Sequence, residues 1–202
     1  MQDIIAETTK CEFFFPNKID KKIYSKIELA LKGFFNILAL IKESDLKILV
    51  VPSSLKPQEL MLNQNFIKFL AKKVGSTKHS LEMLRGLGNA AGAYHCYKVI
   101  LLLDFVNVAT VRHEIFHHLH ENILNRKTKI EISRLFDKCL SENRVVTKNQ
   151  LNNVKEYFAS AGEYYLGKGF YGLLSGNKKL KKKDPEIYDL INRILAGDTS
   201  LF

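Results

Sequence analysis

The chain has 202 residues and a formal charge of +10, with 46% apolar residues and a mean hydropathy of −0.10. That length suits one domain with a core of useful size. No apolar run approaches a membrane span, and the lysine-rich stretches lack interleaved aromatics or a nucleic-acid fold signature, so neither a spanning segment nor a nucleic-acid partner is expected. The first residues, Met1 to Glu7, carry no basic n-region and no apolar h-region, so no conventional secretory signal is read there. Cys11, Cys96 and Cys139 are odd in number, widely spaced and form no C-x-x-C pair, which fits a reduced environment. Cys96 reads as a packing residue.

Residues 19–41 read as an amphipathic helix, with Ile23, Ile27, Leu31 and Phe34/Phe35 on one side. Leu46-Lys47-Ile48-Leu49-Val50-Val51 reads as a buried strand. Residues 58–74 predict a second helix, with Leu60, Phe66, Phe69 and Leu70 apolar, ending near Gly75. Residues 86–92 are glycine-rich and read as a loop leading to Tyr94. Lys98-Val99-Ile100-Leu101-Leu102-Leu103-Asp104 is a second β-rich run. Asp104 or Asn107 can cap the helix that follows, over 108–124.

That helix carries the most informative feature, His113-Glu114-Ile115-Phe116-His117, which fits H-E-x-x-H. Positions four apart on a helix lie about 40° apart around the axis and about 6 Å along it, so two imidazoles can converge on one cation. Glu114 then stands beside the metal rather than on it, where a carboxylate can act as base toward water. Val108, Val111, Ile115 and Leu119 recur on an adjoining face, so the helix is half-buried. His113, His117, His118 and His120 fall within eight residues. His113 and His117 are the expected ligands. His120 shares the face two turns on and reads as a group that supports the ligands or faces substrate. His118, about 100° from His117, reads as a surface residue.

A third protein ligand is needed, with one position left open. The longer pattern with a third His six residues on is absent, since positions 120 and 123 are His and Ile. A carboxylate from a later segment is therefore expected. Glu121 is too close on the same helix, and Glu131, Asp137 and Glu142 sit among basic residues as solvated charges. Glu156 and Glu163 remain, on a helical stretch over 149–166, where Ala159 and Ser160 would let it approach the first helix closely.

Glu156-Tyr157-Phe158-Ala159 resembles the glutamate-helix motif E-x-F-A-E-x-F of the anthrax lethal factor catalytic domain and its relatives, which include the clostridial Pro-Pro endopeptidases. Glu156 follows His113 by 43 residues, a spacing the family shows. The stretch Leu180-Lys181-Lys182-Lys183-Asp184-Pro185-Glu186-Ile187-Tyr188 is similar to the family's closing segment, and the resemblance runs from about residue 92 to 195. It implies that Glu156 is the third ligand, with Glu163 as the alternative, and that the cofactor is Zn²⁺. It implies an α+β, zincin-like domain with a small mixed sheet, an active-site helix and a C-terminal helical part carrying the third ligand. The N-terminal helices and sheet would occupy 1–106, the H-E-x-x-H helix 107–126 and the helical part 127–202, as one domain. By the resemblance, the strand at 98–104 would be the sheet edge above the cleft, although its unbroken apolarity suits an interior strand equally.

The implied function is a zinc-dependent endopeptidase acting on protein or peptide substrates, a monomeric bacterial toxin or effector that is secreted or delivered to a host cytosol, and otherwise cytoplasmic. Glu114 would be its base. The chain departs from the family at three positions. Ser160 replaces the second glutamate of the motif, Gly162 the following aromatic, and Asn149 the tyrosine seven residues before the ligand. An oxyanion stabiliser would then be Asn149, His120 or a tyrosine after the helix. These departures support an alternative of another class, a catalytically weak zinc-binding module of the same fold that binds a protein partner. The run from Lys178 to Lys183 reads as a solvated face.

Overall fold

The computed structural model describes residues 10–13, 22–87, 92–95, 98–167 and 176–202. Four strands form one mixed sheet in the order β1-β2-β4-β3. β1 (Lys10–Phe13), β2 (Lys47–Val51) and β4 (Val99–Leu103) run parallel, and β3 (Gly92–His95) pairs antiparallel with β4 at the margin. Leu101 is in register with Leu49 on one side and Ala93 on the other, so β4 is an interior strand. That position explains its unbroken apolarity, because a strand covered on both faces gains nothing from alternation. Among the described strands, the edge on this side is β3 instead, a short segment that carries no strand signal of its own.

The rest of the chain is mostly helical. α1 (Lys22–Leu31), a 3₁₀ stretch (Lys32–Ile37) and α2 (Leu38–Glu43) take the place of the single helix expected over 19–41. Residues 19–21 lie outside the described residues. The break falls at Phe34, whose φ of −113° and ψ of 21° leave the helical region. Phe34 is buried there, and Phe35 points outward, 76% exposed. The helix expected over 58–74 is two, α3 (Pro57–Leu62) and α4 (Gln64–Val74). Asn63 splits them, because its side chain accepts from Phe66 N and caps α4. α4 ends on Gly75, whose φ of 85° is the left-handed stop that glycine takes without strain. α5 (Thr77–Leu87) takes in Gly86, expected in a loop.

Chain order then gives α6 (Val108–His118), α7 (Arg126–Ser141), a 3₁₀ turn (Lys148–Leu151), α8 (Val154–Leu166), α9 (Gly176–Lys183) and α10 (Pro185–Ala196). The sheet separates two cores by simple alternation. Ile48, Val50, Ile100 and Leu102 face α1, α6, α8 and α10. Leu49, Val51, Val99 and Leu101 face α3, α4 and α5. Among the described residues, no helix is long and apolar enough to cross a membrane.

Candidate metal centre

α6 begins where Asn107, rather than Asp104, accepts from Thr110 N at 2.8 Å. Asp104 is used elsewhere, accepting from Ser53 N at 2.9 Å. The helix buries Val111, Ile115 and Phe116 and turns His113, Glu114 and His117 toward a cleft. It does not continue to residue 124 as an α-helix. Leu119–Ile123 is a π turn closed by Leu124 N donating to Leu119 O.

α8 supplies the carboxylates. Asn153 caps it, accepting from Lys155 N and Glu156 N at 3.0 Å, which fixes Glu156 in the first turn. Tyr157, Phe158, Ala159, Ser160, Ala161 and Gly162 are all buried, so α8 lies tightly against α6. The tightest point is Gly162. A Cβ there would stand 2.4 Å from three ring carbons of Phe116, so only glycine fits.

The two helices bring His113, His117 and Glu156 together. His113 Nε2 and His117 Nε2 are 3.1 Å apart. Glu156 reaches His113 Nε2 with Oε2 at 3.3 Å and His117 Nε2 with Oε1 at 3.1 Å. Donors about 2.0–2.1 Å from a tetrahedral ion lie about 3.3 Å from one another, close to the spacing of the two Nε2 atoms and of each from its nearer Glu156 oxygen. The group could hold a metal ion. Glu163 does not share that focus. Its Oε2 meets His113 Nδ1 at 3.3 Å, the ring nitrogen on the far side from Glu156. The group that converges is therefore His113, His117 and Glu156, and Glu163, the expected alternative, meets His113 from the opposite side of the ring.

Electrostatics agree with a cation site. Burial alone would pull the His113 imidazole down, but hydrogen bonds to Glu156 and Glu163 and the charge of Glu114 more than offset it, carrying it up to about 10. The hydrogen bonds from the two imidazoles hold Glu156 well below the usual carboxylate range. Glu114 is only 7% exposed, and burial raises its pKa against the pull of both imidazoles. It accepts from the Tyr94 backbone N–H on β3. Gly92 permits this approach, since a Cβ there would lie 3.1 Å from Thr110 and 3.3 Å from Glu114.

The other histidines are placed differently from expectation. His118 is fully buried rather than at the surface. Its Nε2 lies 2.6 Å from Ser44 Oγ, and Ser44 donates its own proton to Ile41 O, so the histidine donates to the serine. Asn122 links His118 Nδ1 to the Tyr94 hydroxyl, and the Tyr94 ring stacks parallel to His117 at 6.3 Å. Burial lowers His118 to about 4. His120 faces neither the triad nor the cleft. Its ring packs 5.8 Å from Phe158, and neither nitrogen has a hydrogen-bond partner among the described residues. The π turn changes the phase of the coil just before it, which a uniform helical wheel cannot anticipate.

The cleft is about 1020 Å³, and Asn149 and Ser160 both line it. Tyr94, Thr110, Tyr164 and Gly92 line it as well, and none was singled out by spacing. Of the tyrosines after α8, Tyr188 packs on Tyr165, and Tyr171 lies outside the described residues, as does Cys96. A scan against protein-family models finds no match, and neither does a search of the curated proteins.

Proposed function

We propose that this chain is a zinc-dependent endopeptidase of the zincin type, related to the lethal factor catalytic domain. The observation that carries the reading is the triangle of His113, His117 and Glu156 with Glu114 one residue from a ligand, buried and facing the same cleft. Two imidazoles and one carboxylate match the donor set of catalytic zinc, which leaves a position open. Zinc, when bound, supplies Lewis acidity that polarises a carbonyl and acidifies water.

The chain's own residues do the rest. Glu114 is the base: it takes a proton as the oxygen of water bonds to the scissile carbonyl carbon, and returns it to the amine as the C–N bond breaks. Its raised pKa suits both halves of that exchange. Glu163 fixes the tautomer and tilt of His113. β3, which among the described residues pairs on one side only, lies beside Glu114, where an extended peptide can pair by its main chain.

Bound metal and new protein termini in a treated lysate test the reading. Wild type should copurify with about one zinc and generate new termini. Glu114→Ala should keep the zinc and lose roughly 10²–10⁴ in rate. Full proteolysis by Glu114→Ala would remove that residue from the chemistry, and wild type that takes up no zinc would end the reading. Stoichiometric zinc with no cleavage would favour the second reading, a binding module, which Asn149 at the position of the family's tyrosine motivates.

A further inference from the structure

The triad lies between two unlike parts of the cleft. On one side Tyr94 of β3 stacks on His117. On the other, Glu156 follows the Lys148–Leu151 turn, and α9 brings Lys179 to the same wall. The carboxylates that line the cleft already have partners. Glu156 and Glu163 hold the histidines, Glu114 accepts from Tyr94, and Glu121 pairs with Lys155.

Among the described residues that line the cleft, two cations are left over. Lys148 is exposed and has no carboxylate partner among the described residues. Among the described residues Lys179 reaches the carbonyl of Val146, at 3.3 Å, two residues before Lys148, and no carboxylate. That contact brings α9 against the loop that carries Lys148. Beyond Lys179 the exposed face of α9 continues with Lys178 and Lys182, so no carboxylate of that helix opposes the pair. An ammonium kept at the wall of a peptide-sized cleft without an internal counter-charge is a ready partner for a charged group on the ligand.

Resting on the endopeptidase reading, we propose that the substrate of this cleft is an acidic peptide segment, with Asp or Glu side chains on one side of the scissile bond meeting Lys148 and Lys179. The same two cations repel basic segments, so the site selects by exclusion as well as by attraction. Both lysines are exposed, so the selection acts mainly on binding and appears in KM more than in kcat.

The test uses a chymotryptic peptide library from a bacterial lysate, incubated with the zinc-loaded protein and mapped by mass spectrometry. Wild type should show Asp and Glu enriched severalfold within a few positions on one side of the cut. In Lys148→Glu/Lys179→Glu the ratio of acidic to neutral peptides cleaved should fall roughly ten-fold, with zinc content unchanged. Lys148→Met/Lys179→Met should fall between the two. Cleavage without acidic enrichment, or enrichment that survives the double reversal, overturns the proposal and leaves the endopeptidase reading standing. A library that stays intact with zinc bound overturns both.

Discussion

At the scale of single residues, the two nitrogens of His113 divide the labour between two carboxylates. Glu156 faces Nε2, together with His117, and Glu163 faces Nδ1. A carboxylate on the far nitrogen of a ligand raises its basicity and locks its orientation, and removing such a partner typically costs 10–100-fold in metal affinity. Glu163→Ala should therefore weaken zinc binding by about that factor, and Glu163→Gln, which keeps an acceptor, by less. Glu156→Ala should lose far more, because a donor goes rather than its support. Competition with a chelator of known affinity ranks the three, and equal losses in the two alanine variants would contradict the division. Sequence spacing narrowed the ligand to these two glutamates, but it could not separate them. Both project from one helix toward the same partner, and only the ring's orientation decides which nitrogen each one meets.

At the scale of elements, the approach of α6 to α8 sets the spacing of His113, His117 and Glu156, and Phe116 against Gly162 sets the approach. An added methyl group would lie 2.4 Å from the ring, where backbone or ring must shift. Overpacking of this kind costs about 1–3 kcal/mol, so Gly162→Ala should lower stability by that amount and weaken zinc binding with it. Glu156 and His113 ride on the two helices being pushed apart. Shrinking the ring in Gly162→Ala/Phe116→Leu should recover part of both losses. A denaturant midpoint and a zinc titration measure them, and additive rather than compensating effects would refute the contact as the spacer. The C-terminal helices brace α8 from behind, where buried Tyr157 donates to buried Asp184 at the cap of α10. Tyr157→Phe would remove one donor from that carboxylate, which keeps the Ile187 N–H and Arg144, and should cost about 1–3 kcal/mol.

The elements also mark where reading a sequence stops. α6, α8 and the strands at 46–51 and 99–103 announced themselves through runs and motifs dominated by one periodicity. The split at Asn63 and the cap at Asn107 rested on local signals that compete with longer apolar patterns. β3 has four residues and owes its existence to pairing with β4, a long-range fact. His118 looked exposed because nothing near it in sequence says that Ser44, from the end of α2, covers it.

For the whole molecule, the candidate metal site links pH to stability, because His113 and Glu156 both titrate away from their ordinary values in the fold. In chelator-treated protein the sign follows from two displaced groups. His113 is raised from 6.5 to about 10, so its contribution is fully present below pH about 6.5 and lost as pH rises through about 10. Glu156 is lowered from 4.5, so its contribution is present above that value and lost as pH falls. The windows overlap between about pH 4.5 and 6.5, where this pair's own contribution to the thermal midpoint of the chelated protein has its optimum. The buried His118 and His120, both lowered to about 4, act in the opposite sense there, so the optimum is read as the difference between wild type and Glu156→Gln. Zinc needs the imidazole without its proton, so loading releases protons and its stabilisation grows with pH. At 100-fold excess over Kd that stabilisation reaches about 2.7 kcal/mol. The zinc-induced rise in Tm should thus be larger near pH 8 than near pH 6, and Glu156→Gln, which lacks both the anion and the ligand, should show neither the chelated optimum nor the increment. An increment that ignores pH in the wild type would mean that zinc binds away from His113.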